Sequence, residues 1–168
     1  MSLESPPADS VKCSLATKVL RDFGELRLRV TGSSMLPSLW PGDSLLIRRV
    51  RFTEITPGDL VLFARDERFF VHRVLKVADG RLLTRGDALP VPDPLVGPDE
   101  LLGCVQLIAR DGVERHSCPL GALGRLLAFA LRRSSRFPNL LLRSRRVYRR
   151  VLGAAADDMC PAEAAWRT

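Results

Sequence analysis

The sequence predicts a mostly β fold, led by a short helix and followed by a basic helical extension. Three observations carry this. Short runs rich in Val, Leu, Ile and Phe recur between residues 25 and 109, divided by Pro-Gly, Asp-Gly and Pro-rich turn signals. Helical periodicity occurs only outside that region, in residues 10–23 and again in 119–152. The chain has 168 residues and is 46% apolar, enough for one compact domain with a core and an added segment.

Residues 1–9 read as a disordered lead. In "SVKCSLATKVLRDF" (10–23), Val11, Leu15, Val19 and Leu20 fall at helical spacing, with Ser10 as cap and Gly24 as the stop. Strand character follows in "ELRLRV" (25–30), "SLLIRRV" (44–50), "DLVLFA" (59–64), "RFFVHRVLKV" (68–77), "RLLTRG" (81–86) and "LLGCVQLIA" (101–109). The turns between them are marked by Pro41-Gly42-Asp43, Pro57-Gly58-Asp59, Asp79-Gly80 and "DALPVPDPLVGPDE". Three regions are expected: a lead and helix over 1–24, a β domain over 25–112, and an arginine-rich helical extension over 113–168.

Charge is unevenly placed. The net charge is +7, yet ten arginines and no acidic residue lie between Arg115 and Ala156, so the rest of the chain is slightly acidic. In "PNLLLRSRRVYRRVL", Leu140, Leu141, Val147, Tyr148, Val151 and Leu152 face one way, against Arg143, Arg145, Arg146, Arg149 and Arg150. Residues 119–152 thus read either as a helix with a solvated basic face or as a segment lying on an anionic membrane surface. Nucleic acid is disfavoured as a partner, because no aromatic residues alternate with the arginines as a stacking platform requires. The longest apolar stretch, 126–131, is far short of the roughly 20 residues of a membrane span. The N-terminus has neither the basic nor the apolar region of a secretory signal. Four scattered cysteines (Cys13, Cys104, Cys118, Cys160) without a CxxC pair read as free thiols in a reducing compartment. A cytoplasmic protein, peripheral on the membrane at most, is expected. His72 and His116 are not at metal-ligand spacing, and neither a metal nor another cofactor is expected.

"VTGSSMLPSLWPGDSLL" (30–46) is the unusual stretch. It sets Ser33 and Ser34 at a bend and follows them at once with apolar Met35 and Leu36. A serine hydroxyl becomes a nucleophile only with a base in hydrogen-bond reach and donors ready for the oxyanion. Gly32 permits the bend or the close approach of a substrate chain. His72 is the single histidine among the β segments and could act as a base near neutral pH. A carboxylate to orient it could come from Asp87 or Asp93. Each residue alone has an ordinary structural reading: a hydrogen-bonding turn for the serines, a core site for His72, and turn chemistry for the two aspartates.

Taken together and in order, "GSSMLPSLWPGDSLLI", "PGDLVLF", "FVHRVL" and "LLTRGDALPVPD" resemble the sequence boxes of the signal peptidase I superfamily (S24/S26-type serine peptidases). Its relatives include the self-cleaving LexA and phage-repressor peptidases. The resemblance spans about residues 26–109. It implies a β-rich catalytic fold and a peptide or precursor-protein substrate cut through an acyl-enzyme. In the S-M-x-P motif the serine before Met is the nucleophile, here Ser34, and Met35 and Pro37 match the motif and are expected at the substrate. Gly32, Ser33 and Ser34 are the implied oxyanion turn. Many relatives use a lysine in the strand position held here by His72; a histidine there is the pattern of the endoplasmic-reticulum and archaeal signal peptidases. In that branch a Gly-Asp and a second Asp are also required, matching Asp87 and Asp93. Lys76, the only lysine of the β region, is a rival base, but four residues of strand place it about 13 Å from His72. The chain departs from signal peptidases in lacking an apolar anchor, and from LexA in having too few residues before the β region for a DNA-reading domain. A non-catalytic peptide-binding or regulatory module of the same fold is the alternative.

Overall fold

The computed structural model describes residues 8–117 and residue 128. The expected amphipathic extension over 119–152 lies, apart from Ala128, outside the described residues, as do Cys118 and Cys160. Ala128 itself is helical and fully buried.

Helix α1 runs Ala8–Phe23, so Ser10 stands inside it rather than capping it. It ends where Gly24 takes φ 77 and donates its N–H to the Leu20 carbonyl at 3.1 Å, a conformation that costs glycine little. The buried stripe is Cys13 and Leu20, not the expected Leu15, which is 60% exposed. Leu20 anchors the helix against the sheet.

Among the described residues seven strands follow: β1 (Glu25–Arg29), β2 (Ser44–Arg48), β3 (Leu60–Arg65), β4 (Arg68–Ala78), β5 (Arg81–Arg85), β6 (Leu101–Arg110) and β7 (Val113–His116). They form one antiparallel sheet in the order β1-β2-β6-β3-β4-β5, with β7 paired to β6. The sheet therefore continues beyond the boundary expected at residue 112. A short 3-10 turn at Phe52–Glu54 leads towards β3. Three hairpins turn through two residues of positive φ: Asp66-Glu67, Asp79-Gly80 and Asp111-Gly112. That is the twist-matched geometry of tight hairpins.

Side chains alternate between two apolar layers, as the period of two in a strand demands. On one face Leu60 and Leu62 of β3 join Leu45, Ile47 and Val105, with Leu20 of α1 and Met35 and Leu39 closing over them. On the other, Val61 and Phe63 join Val74, Leu82, Val96 and Cys104. Adjacent residues of β4 are thereby sent to opposite sides of the sheet, which decides the fate of His72 and Arg73.

Gly103 sits where β6 passes close to β2: a Cβ there would lie 2.5 Å from the Arg48 carbonyl oxygen. The register shifts in the same neighbourhood, between Leu46 and Ile47 and between Leu62 and Phe63, as expected where bulges tighten a curved sheet.

Candidate active site

The segment between β1 and β2 leaves the sheet and returns to it through a sealed neck. Val30 N–H donates to the Asp43 carbonyl and Gly42 N–H to the Val30 carbonyl, each at 2.8 Å. Within it, Leu36 N–H reaches Ser33 O at 3.2 Å and Leu39 N–H reaches Met35 O at 3.0 Å, making a short helical turn whose first residues are the serine pair. The Leu36–Pro37 peptide is cis. Trp40 Nε1–H donates to Pro37 O at 3.0 Å. Asp43 accepts from Trp40 N–H at 2.8 Å and pairs through both carboxylate oxygens with Arg110, which also donates to Ser38 O. The serines are thus presented on a turn braced from the far end of β6.

Met35 and Pro37, expected at the substrate, are buried, Met35 to 3% exposure within the core beside Leu20 and Leu39. The Met35 thioether accepts the Asp87 N–H at 3.4 Å. Met35 thus packs beneath the serine turn. Gly32 is exposed, its φ lies outside the left-handed region, and a Cβ there would meet nothing within 4 Å. The bend itself does not demand glycine at that position. Ser33 and Ser34 are both half-buried.

His72 lies on β4 opposite Val61 of β3 and is 3% exposed. Its ring sits among Phe63 (5.9 Å between centroids, edge-on) and Phe70 (6.0 Å). Nδ1 is 2.7 Å from Asp93 Oδ2 and Nε2 is 3.1 Å from Ser34 Oγ. An ionised carboxylate only accepts, so Nδ1 carries the proton and Nε2 turns its lone pair to the Ser34 hydroxyl. Thr84 Oγ1–H donates to the same Asp93 oxygen at 2.7 Å, and Asp93 N–H returns a bond to Thr84 O at 2.8 Å.

The two candidate aspartates separate cleanly. Asp87 does not bond to His72. Its carboxylate is gripped by Arg73, with Nε at 2.9 Å and Nη2 at 2.8 Å, and also accepts from the Ser38 hydroxyl. Arg73 donates in addition to Ser38 Oγ at 3.1 Å and to Gly58 O at 2.8 Å. Alternation along β4 explains the division. His72 shares a face with Val74 and Thr84, over which Asp93 folds, while Arg73 points to the other side, where Asp87 and Ser38 wait. Asp87 therefore ties the serine turn to the base-bearing strand. Lys76 is exposed and lies past a bulge between Val74 and Lys76, so it does not join the cluster.

Sequence reasoning missed three contributors. Thr84 is a buried hydroxyl in an otherwise apolar alternation, a signal that it needs a polar partner. Arg73 is a buried cation adjacent to the base. Gly86 has its Cα so close to the nucleophile that a Cβ would stand 2.7 Å from the Ser34 carbonyl oxygen, the same oxygen that accepts Ala88 N–H at 2.9 Å.

Both described cysteines, Cys13 and Cys104, are buried free thiols, and burial pushes the Cys104 thiol up to about 11. Among the described residues no cluster of His, Cys, Asp or Glu gathers three ligands for a metal. None of their helices is long and apolar enough to cross a membrane.

Residues 8–88 match the family model described as Peptidase S24-like. The match supports the S24/S26 peptidase superfamily for this chain and suggests a serine peptidase. It takes in Ser34, His72 and Asp87 and stops before Asp93. A mostly antiparallel β sheet with one short helix is consistent with that β-rich fold. No curated protein matches the chain.

Proposed function

We propose that the chain is a serine endopeptidase of signal-peptidase type, with Ser34 as nucleophile, His72 as general base and Asp93 as the carboxylate that orients it. The observation that carries this reading is the continuous line from Ser34 Oγ through the His72 ring to Asp93, at 3.1 and 2.7 Å. Ser34 Oγ attacks the scissile carbonyl carbon as its proton passes to His72 Nε2. The imidazolium so formed is stabilised by Asp93. The tetrahedral intermediate's oxyanion is met by backbone N–H groups of the turn at 32–34. Collapse breaks the C–N bond, and His72 returns the proton to the leaving amine. Water, deprotonated by the same nitrogen, then attacks the Ser34 ester; the acyl C–O bond breaks, His72 returns the proton to Ser34 Oγ, and the second product leaves as the acid. The substrate is an extended peptide or precursor protein, and the run of ten arginines with no acidic residue between Arg115 and Ala156 favours an anionic surface, such as a membrane, as a second partner.

A mass-spectrometric digest of a diverse peptide library, with and without anionic vesicles, tests this. Cleavage by the wild type that Ser34→Ala and His72→Ala both lose supports the reading. Uncut libraries together with no labelling of Ser34 by an alkyl fluorophosphonate would overturn it in favour of a peptide-binding module.

A further inference from the structure

Asp93 reaches His72 from the middle of a long connection between β5 and β6 that contains Pro90, Pro92, Pro94 and Pro98. A carboxylate on such a loop is useful only if the loop is held to within about half an ångström. On one side it is stitched to β5: Asp93 N–H to Thr84 O, and a pair of bonds between Leu82 and Val96 at 2.9 Å each. Between those stitches stand Pro94 and Leu95, both exposed, with carbonyls that β5 does not take.

Both carbonyls are taken by Arg65, the last residue of β3. Nη1–H donates to Pro94 O at 3.2 Å and Nη2–H to Leu95 O at 3.0 Å. The guanidinium is itself locked. Nε and Nη2 grip the two oxygens of Glu100 at 2.6 and 2.9 Å, and Glu100 Oε2 also accepts Gly97 N–H at 2.8 Å. The guanidinium carbon lies 5.7 Å from the centre of the Phe63 ring, the ring that meets His72 edge-on. A single side chain thus fastens the acid's loop and rests on the base's aromatic neighbour.

We propose that Arg65 is a positioning residue of the active site, holding Asp93 in reach of His72 Nδ1 through its grip on the Pro94 and Leu95 carbonyls, with Glu100 as its brace. The proposal rests on the peptidase reading for its effect on rate, but its effect on the His72–Asp93 contact stands alone. Lysine does not substitute, since an ammonium cannot span two carbonyls and a bidentate carboxylate at once.

The test has two arms. The first is the ring nitrogen-15 NMR spectrum of labelled histidine at a pH where imidazole is neutral, with exposed His116 as internal reference. Wild type shows His72 fixed as the Nδ1–H tautomer. Arg65→Ala and Arg65→Lys shift it to a mixture, and Glu100→Gln, which keeps the shape and lowers the risk of unfolding, shifts it part of the way. The second arm is the rate at which an alkyl fluorophosphonate modifies Ser34, expected to fall ~10²-fold in Arg65→Ala, the cost of a misplacement near 1 Å. An unchanged tautomer and a rate within twofold of wild type in folded Glu100→Gln and Arg65→Lys would overturn the proposal. So would a wild-type His72 without the Nδ1–H tautomer. A tautomer that depends on Arg65 in a protein whose Ser34 never reacts would sink the peptidase reading alone.

Discussion

Replacing Gly86 by alanine isolates how tightly the nucleophile's backbone is held. The added Cβ would stand 2.7 Å from the Ser34 carbonyl oxygen and 3.0 Å from Leu89 Cγ and Cδ1. The leucine can turn aside, but the backbone oxygen cannot. Ordinary contact begins near 3.4 Å, so the two chains must part by about 0.7 Å, which also stretches the Ala88 N–H bond to the same oxygen. Overpacking of this kind costs about 1–3 kcal/mol, a drop in Tm of roughly 2–12 °C for a chain of 168 residues. The displacement is handed directly to Ser34, and a shift approaching 1 Å at a nucleophile costs up to ~10²-fold in rate. Gly86→Ala should therefore slow fluorophosphonate labelling of Ser34 by about 10- to 100-fold, measured at a temperature where circular dichroism shows the variant fully folded. A variant that keeps the wild-type Tm and labels within twofold would refute the inference that Gly86 is kept small for the nucleophile.

The matched control is Gly32→Ala. With open space at its Cβ and no left-handed φ, thermal unfolding should stay within ~0.5 kcal/mol of wild type, so a loss of peptide cleavage there would report the approach of substrate. The two aspartates should fail differently. Asp93→Asn should leave Tm nearly unchanged and lower the labelling rate by ~10³–10⁴-fold, because the imidazole loses its fixed tautomer. Asp87→Asn should lose on the order of 3–5 kcal/mol in urea unfolding by leaving Arg73 buried without its anion. The Glu100 carboxyl is held below its ordinary range by the hydrogen bonds from Arg65, opposed by burial and aided by Gly97 N–H. Its contribution is therefore complete above the unfolded value of about 4.3 and fades as pH falls through the lowered one. Urea midpoints of wild type and Glu100→Gln should differ at pH 7, and the difference should shrink progressively as the pH is lowered below the unfolded value.

The strands were legible because their alternation and turn chemistry are local. Six of seven could be placed from runs such as "DLVLFA" and "RFFVHRVLKV". The seventh, β7, was overlooked although Asp111-Gly112 between "LIAR" and "VERH" is a hairpin signal of the strongest kind. Its strand is only four residues long and wholly exposed, so it has no apolar pattern to announce it. The helix was visible, but its buried stripe was misjudged: Cys13 is turned inward and Leu15 outward, a choice made by the sheet beneath rather than by the helix. Ser34 and His72 stood out by motif and by rarity. Which aspartate meets His72 was not readable, because the answer depends on how a proline-rich loop folds back along β5. Thr84 and Arg65 were invisible for the same reason; their roles exist only across strands.

His72 and Arg73, neighbours in sequence, serve opposite sides of the sheet, one reaching Ser34 and Asp93 and the other Asp87. This makes the centre sensitive to parity. A single residue inserted or deleted in β4 between the Asp66-Glu67 turn and His72 would turn each side chain to the other face: a deletion would bring Arg73 to the place of His72, against the serine, and an insertion would bring His72 to the place of Arg73, against Asp87. A change of two residues would restore both directions and leave only a slide along the strand. The stretch of β4 between that turn and His72 is therefore fixed twice over, in parity for the direction of its side chains and in length for their reach, since a slide of two residues, about 6.6 Å, would carry the imidazole away from Ser34 and Asp93.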